Sequence, residues 1–518
     1  MIEKVLLRIV SVLIITLFCV GAVSAAEDYS MWKGDICRSG YTSESAPQNN
    51  SILWEKEYLP AASSGMYPAV DASPVAADGY VYYAVWGDSK NQVNGIYCAD
   101  AYTGEEIWKY SAATRGSFSV DNGILYAGTL GGTLIALNAY TGELIWTTDK
   151  LASYAYVGLS GAPLVVDDTV YISATTLSGS SYTSSIYAFN KVTGKKELFS
   201  PVSLQSSNGD GGIGKFASLC SNADGSLIYA AGSGGIAAFD PVVSEAIVWT
   251  FDCGARASSG SFVSTPVYSD GKLYLVKTPS SGNAVIYCIN AETGVELWNI
   301  SDGNIGSSSP AVTADKIVVT GKTGLSVYDK SGSMLSHYST GDTGFASPVV
   351  AGDIAYFGTA SEGTMYAVNI TDGTLVWSYA LPRIISTYYA MIEASPAVYD
   401  GNLYVGSANA RMYAFGTQPD AAETKNTVTD GTWSAVTKAE VVYEFAPSAA
   451  DRISAPEISH GGSVRKIGID AYDSVTFQKS VGGSWSDVTA SVDSLGSLNI
   501  TGNVSDADRL RATFTGRL

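Results

Sequence analysis

The sequence predicts an all-β chain: an eight-bladed β-propeller of four-stranded antiparallel blades, closed by its own N-terminal strand, followed by a small C-terminal β-sandwich. Three observations lead there. A turn flanked by two strands, the second carrying a tryptophan, recurs along most of the chain. First strands of the Ser-Pro-x-Val kind recur near Pro74, Phe118, Pro163, Ser218, Pro266, Pro310, Pro348 and Pro396. Their spacing, roughly 40 to 50 residues, suits four-stranded blades better than helical solenoids. Finally, the two ends of the repeat array complement each other.

The recurring unit is clearest at Cys98–Trp108 and Ala136–Trp146, and appears in full twice more at Cys288–Trp298 and Ala367–Trp377. Degenerate copies run over Ala188–Leu198, Ala238–Trp249 and Val327–Ser336. Asp or Asn at its third position can hydrogen-bond its own backbone, and Gly at its seventh allows positive φ. Gly104, Gly142, Gly194, Gly294 and Gly373 stand there. A large flat ring repeated once per unit is most simply read as packing between neighbouring units. Leu198 and Ser336 replace that ring, so the third and sixth blades are expected to be less regular.

Residues 1–25 read as a secretory signal peptide: Lys4 and Arg8, an apolar run from Ile9 to Val20, then Ala22-Val23-Ser24-Ala25. An uncleaved anchor is the alternative. The propeller then occupies residues 26–416. Leu53-Trp54-Glu55-Lys56-Glu57-Tyr58 looks like a tryptophan strand without its turn, and the unit around Leu403–Phe415 looks like three strands without their tryptophan strand. The first is expected to complete the second and close the ring, removing exposed sheet edges. Residues 417–431 read as a polar linker. Residues 432–518 alternate as short strands of a sandwich-like domain.

The net charge is −19, with only 15% charged residues, 33 Tyr and 54 Gly. With no basic patch to meet phosphates, nucleic acid is excluded as a partner. No second apolar stretch approaches membrane length, so no span is expected after leader cleavage. Five cysteines follow the leader: Cys37, Cys98, Cys220, Cys253 and Cys288. Cys98 and Cys288 share a repeat position with Ala136, Ala188, Ala238, Ala367 and Ala414, which reads as a small buried side chain. Cys220 and Cys253 fall in one repeat and are candidates for a disulfide.

The motif Ala-x-Asp/Asn-x-x-Thr-Gly-x-x-x-Trp resembles the repeat of pyrroloquinoline-quinone (PQQ)-like β-propellers, over about residues 30–416. The resemblance implies that Trp54, Trp108, Trp146, Trp249, Trp298 and Trp377 dock between adjacent blades, with Gly104, Gly142, Gly294 and Gly373 in their turns. Quinoprotein dehydrogenases of this family hold the quinone and Ca²⁺ at the axis and often place a disulfide of adjacent cysteines beside the ring. Here no two cysteines are adjacent and no Cys-x-x-Cys-His exists. The tryptophans are taken up by docking or strand positions, so no catalytic residue carries over. No catalytic, cofactor or metal residue is therefore assigned, and PQQ with Ca²⁺ stands as the alternative.

His337 and His460 lie in different predicted domains, which disfavours a His-based metal or nucleophile site. Asn208–Gly212, Asp224-Gly225 and Gly232–Gly235 read as turns. Innermost strands line the axis, so the residues just before them should reach the channel mouth. Asp71, Arg115, Lys215, Arg256 and Glu393 are the candidate ligand contacts there, with Tyr388 and Tyr389 nearby. The expectation is an exported, non-catalytic scaffold binding a protein, peptide or glycan at the cell surface. Its alternatives are a quinoprotein dehydrogenase and an envelope assembly factor resembling the propeller scaffold of β-barrel insertion.

Overall fold

In the computed structural model of the 518-residue chain, the described residues are 28–58, 68–87, 93–152, 159, 161–178, 181–197, 202–204, 218–232, 235–241, 247–253, 262–279, 281–344, 346–383, 390–417 and the strands between 439 and 516. The predicted leader, Leu198, Asn208–Gly212, Lys215, Arg256, Tyr388, Tyr389 and the linker beyond residue 417 lie outside them.

Among the described residues there is no helix, and eight antiparallel sheets follow one another around a ring. Blade 1 runs through 75–77, 80–85, 95–100 and 106–110, and blade 2 through 118–121, 124–128, 134–138 and 144–147. Blade 3 comprises 164–166, 169–178, 181–190 and 202–204, and blade 4 comprises 220–221, 228–231, 235–239 and 247–252. In blade 5 the inner strand is split: 262–263 and 267–269 both pair with 272–278, which precedes 284–290 and 296–302. Blades 6 and 7 are 311–312, 316–320, 324–329, 334–339 and 349–351, 354–358, 364–369, 375–380. Blade 8 takes 397–399, 402–407 and 411–415 from the C-terminal end and Ile52–Glu57 as its outer strand. The ring closes as the sequence predicts. In the C-terminal part, strands 439–445, 509–516, 472–481 and 484–487 form one four-stranded sheet, beside two hairpins.

The repeated turn is the joint of the ring. Asp100 Oδ1 accepts the backbone N–H groups of Tyr102 and Thr103, and Gly104 N–H donates to Asp100 O. Asn138, Asn190, Asn290 and Asn369 build the same turn. Gly104 sits at φ 68°, and a Cβ there would lie 2.6 Å from Trp54 of the preceding blade. Trp108 meets Gly142, Trp146 meets Gly194 and Trp249 meets Gly294 in the same way, while a Cβ at Gly332 would lie a looser 3.3 Å from Trp298. Each indole N–H then donates to a carbonyl of the blade it docks on: Ala101 for Trp54, Ala139 for Trp108, Lys191 for Trp146, Ala291 for Trp249, Lys330 for Trp298 and Pro47 for Trp377. Tyr404, Tyr126 and Tyr356 hydroxyls reach the carbonyls of Ala101, Lys191 and Pro47, so each of these three carbonyls is held twice.

Two expectations are corrected. Blade 6 forms all four strands, because Ser336 still pairs in register with Val327; only the docking contact is small, with Gly373 facing Ser336 instead of an indole. Cys220 and Cys253 are not bonded. They lie on the first and the end of the fourth strand of one sheet, about three inter-strand spacings of ~4.8 Å apart.

Hydroxyls just before the inner strands tie blade to blade. Ser395 N–H donates to Ser73 Oγ, Ser347 N–H to Ser395 Oγ, Ser309 N–H to Ser347 Oγ, and Ser218 N–H to Thr265 Oγ1.

The channel inside this ring is filled at one end by the chain's own start. Backbone carbonyls of Tyr29, Ser30, Ile36, Cys37, Ser39 and Gly40 accept from Ala76, Val120, Ser221, Tyr268, Val312 and Val350, the inner strands of blades 1, 2, 4, 5, 6 and 7. Glu44 accepts from Asp400 N–H in blade 8, and Arg38 reaches Pro163 O in blade 3. Trp32 N–H donates to Phe118 O in blade 2, and Lys33 O accepts from Gly40 N–H, so the segment also bonds to itself. Arg38 and Lys33 are both fully buried. Arg38 donates to the carbonyls of Leu219, Trp32 and Pro163, and Lys33 to that of Pro310.

Two measurements follow from this packing. Gly142→Ala should destabilise the protein strongly, since its Cβ would lie 2.7 Å from Trp108. Gly401→Ala, at φ 73° with open space around it, should cost only about 1 kcal/mol. Equal urea midpoints for the two variants would contradict the docking account. Burial pushes the Lys33 ammonium down to about 7, with Asp35 and Cys220 opposing and Arg38 adding to the shift. The unfolded chain then holds a proton that the folded chain releases between about pH 7 and the ordinary lysine value, so stability gains from rising pH across that window. The urea midpoint should rise from pH 6 to pH 9 more in the native protein than in Lys33→Met.

Candidate functional site: the mouth of the axial channel

Opposite the filled end, the chain enters each inner strand. The approach to blade 1 is fixed by the bridge between Ala69 and Trp86, whose backbone N–H groups donate to each other's carbonyls, and by Val70 N–H donating to Ser407 O. The approach to blade 2 is fixed by Thr114, whose hydroxyl donates to Gly128 O. The approach to blade 8 is held by Ile392 N–H on Thr359 O.

These three approaches bring Asp71, Arg115 and Glu393 together. Arg115 Nη2 lies 2.9 Å from Asp71 Oδ2 and 3.7 Å from Glu393 Oε2. Its guanidinium stacks over the Trp86 ring at 4.4 Å. The Trp86 indole N–H lies near enough to stabilise the Asp71 carboxylate without closing a full hydrogen bond. Burial raises the Asp71 carboxyl above its ordinary value, and Arg115 opposes the rise. Glu393 is raised as well, first by burial and then by Asp71, again against Arg115. The Asp71 side chain is 7% exposed, Arg115 27% and Glu393 37%, so the last two are the groups a ligand would meet.

Three of the five predicted contacts thus share one site; Lys215 and Arg256 lie outside the described residues. Trp86 was not anticipated. It follows the second strand of blade 1 with Tyr82, not a turn glycine, four residues before it, and that missing turn was the available signal. The reading that docking and strand positions use up every tryptophan is corrected: Trp86 stands at the mouth, and Trp32 lies on the axial segment within 5.9 Å of both Lys33 and Arg38. His337 is a strand residue, with Nδ1 2.9 Å from Ser326 Oγ and Nε2 3.2 Å from Thr323 Oγ1. Asp224 caps an ordinary turn through Ser226.

The family described as "Outer membrane protein assembly factor BamB" matches residues 38–245 and 232–465. The chain belongs to that family. Tetrathionate hydrolase of Acidithiobacillus ferrooxidans is 25% identical over 321 residues, which are 55% of this chain and 61% of that protein. Quinohemoprotein alcohol dehydrogenase ADH IIB of Pseudomonas putida is 34% identical over 120 residues, 20% of this chain and 16% of that one. The chain therefore spans less than two thirds of either relative. Among solved structures, a europium-containing methanol dehydrogenase superposes with a TM-score of 0.54 at 14% identity, over 75% of this chain and 98% of that one. Quinohemoprotein alcohol dehydrogenase ADHIIG of Pseudomonas putida HK5 gives 0.55 at 15%, over 79% and 82%. These likenesses establish the propeller fold.

The donor set at the mouth does not fit a quinone with calcium. Among the described residues no three His, Cys, Asp or Glu side chains converge, whereas calcium takes six to eight oxygens. The half-buried Trp86 indole there already carries Arg115 on its face.

Removing the guanidinium leaves Asp71 buried without a counter-charge. Arg115→Met should therefore lower the urea midpoint more at pH 7.5 than at acid pH, because burial already raises the Asp71 carboxyl and protonation removes the unpaired charge. Adding Asp71→Asn should erase that pH difference; a loss independent of pH would show that the pair carries no charge burden.

Proposed function

We propose that this chain is an exported, non-catalytic binding module that recognises a protein, peptide or glycan partner, with the channel mouth as its recognition centre. The observation that carries the reading is the Asp71–Arg115–Glu393 cluster on Trp86, in which a buried carboxylate holds Arg115 and leaves Glu393 more than a third exposed. A pre-oriented guanidinium and carboxylate side by side offer paired donors and acceptors to a polar ligand without ordering cost. The family's description as an assembly factor supports a protein partner and a place outside the cytoplasm. The local identity to quinohemoprotein alcohol dehydrogenase favours a second reading, PQQ-dependent dehydrogenation.

One set of measurements separates the two. The purified protein is titrated with PQQ and CaCl₂ by calorimetry and assayed for alcohol-dependent dye reduction, then probed on peptide and glycan arrays beside Glu393→Gln. We expect no turnover, and array ligands whose retention falls at least tenfold in Glu393→Gln. Dye reduction with stoichiometric quinone overturns the non-catalytic reading. Array binding indifferent to Glu393→Gln overturns the mouth as its centre.

A further inference from the structure

The segment Asp28–Glu44 stands apart from the ring it fills. Each blade has its four strands without it, and the ring is closed independently by Ile52–Glu57. Nearly all its backbone bonds to the ring run to inner-strand groups, one blade after another, with Thr42 O accepting from Gly352 in the turn after blade 7's inner strand. It is also the least comfortable part of the interior. Lys33 and Arg38 adopt φ of 63° and 58°, the left-handed region that non-glycine residues occupy at a cost of about 1 kcal/mol or more each. The same two residues bury a guanidinium and a lysine amine, with Asp35 as the neighbouring carboxylate and carbonyl oxygens as their direct partners. Seating this segment thus costs desolvation and strain, returned through hydrogen bonds spread thinly over the ring.

We propose that Asp28–Glu44 is a separable strap, which seats in and leaves the channel of an already closed ring. Arg38 is its principal fastener. From one side chain it holds Leu219 of blade 4 and Pro163 of blade 3, and also the strap's own Trp32 carbonyl. The strap leaves as a unit because its corners are shared: Gly40 N–H rests on Lys33 O, and Arg38 N–H on Asp35 O.

Cys220 is a built-in reporter. It is fully buried, and strap contacts flank it on both sides: Leu219 O holds Arg38, and Ser221 N–H donates to Ile36 O. Cys98 and Cys288 are equally buried but lie on third strands of blades 1 and 5, away from the strap. The test is maleimide labelling of the full chain carrying Cys37→Ser, read by peptide mass spectrometry across a urea series below the global transition. Cys220 should label at least tenfold faster than Cys98 and Cys288, with a weaker urea dependence. Arg38→Met should raise the Cys220 rate at least tenfold further and leave the other two unchanged. If Cys220 opens only in step with Cys98 and Cys288, in either protein, the strap is an inseparable part of the ring and the proposal fails.

Discussion

One contact organises this molecule: an indole laid against a glycine of the next blade. The turn that presents the glycine is shaped by an Asp or Asn side chain. Positive φ at the glycine tightens it, and the absence of a Cβ leaves room for the ring. A carbonyl earlier in the same turn then accepts the indole N–H. Local conformation and inter-blade packing are therefore satisfied by the same few residues. A docked tryptophan buries roughly 200 Å² at about 25 cal/mol per Å², several kcal/mol gross at each joint. That makes the eleven-residue unit worth repeating, and it makes the ring tolerant of one weak joint.

The weak joints, like the fully docked ones, carry inner ties. Blade 3 has a three-residue outer strand, Val202–Leu204, where its neighbours have four to six. The junction of blades 3 and 4 is the one that Arg38 bridges from the axis, and Ala162 N–H on Ser218 Oγ adds a second inner tie. At the junction of blades 6 and 7, where Ser336 stands for an indole, Ser309 N–H on Ser347 Oγ and Thr320 Oγ1 on Ala346 O supply inner ties. Inner fastening is thus present at both junctions where outer fastening is reduced.

What could be read from the sequence follows from how far each interaction reaches. The blades were legible because the turn chemistry is local and periodic, and the closure because strand 52–57 and strands 397–415 are incomplete in complementary ways. The mouth was legible in part: topology alone places the residues before each inner strand at the axis, which found Asp71, Arg115 and Glu393. Trp86 was missed because its role depends on Arg115 lying across it, a contact between blades. The strap was illegible. Lys33 meets Pro310 and Arg38 meets Leu219 across separations of 277 and 181 residues, and no short pattern marks either cation as buried. The disulfide expectation failed for a related reason: sharing a repeat places two cysteines in one sheet, not on one edge.

The two ends of the channel carry different chemistry, and that difference bears on recognition. At the filled end Lys33 and Arg38 meet backbone carbonyl oxygens. At the mouth Arg115 meets two carboxylates whose proton affinities are both raised. In a chain of net charge −19, a cation at the mouth is scarce, and the chain commits a nearly buried carboxylate to hold it. A surface ion pair exposed to water contributes little to stability, about 0–1 kcal/mol. Asp71 and Trp86 are better explained by what they do to Arg115, which is to fix its plane and leave its outer edge beside Glu393. The ring supplies the rigidity that holds this arrangement in place.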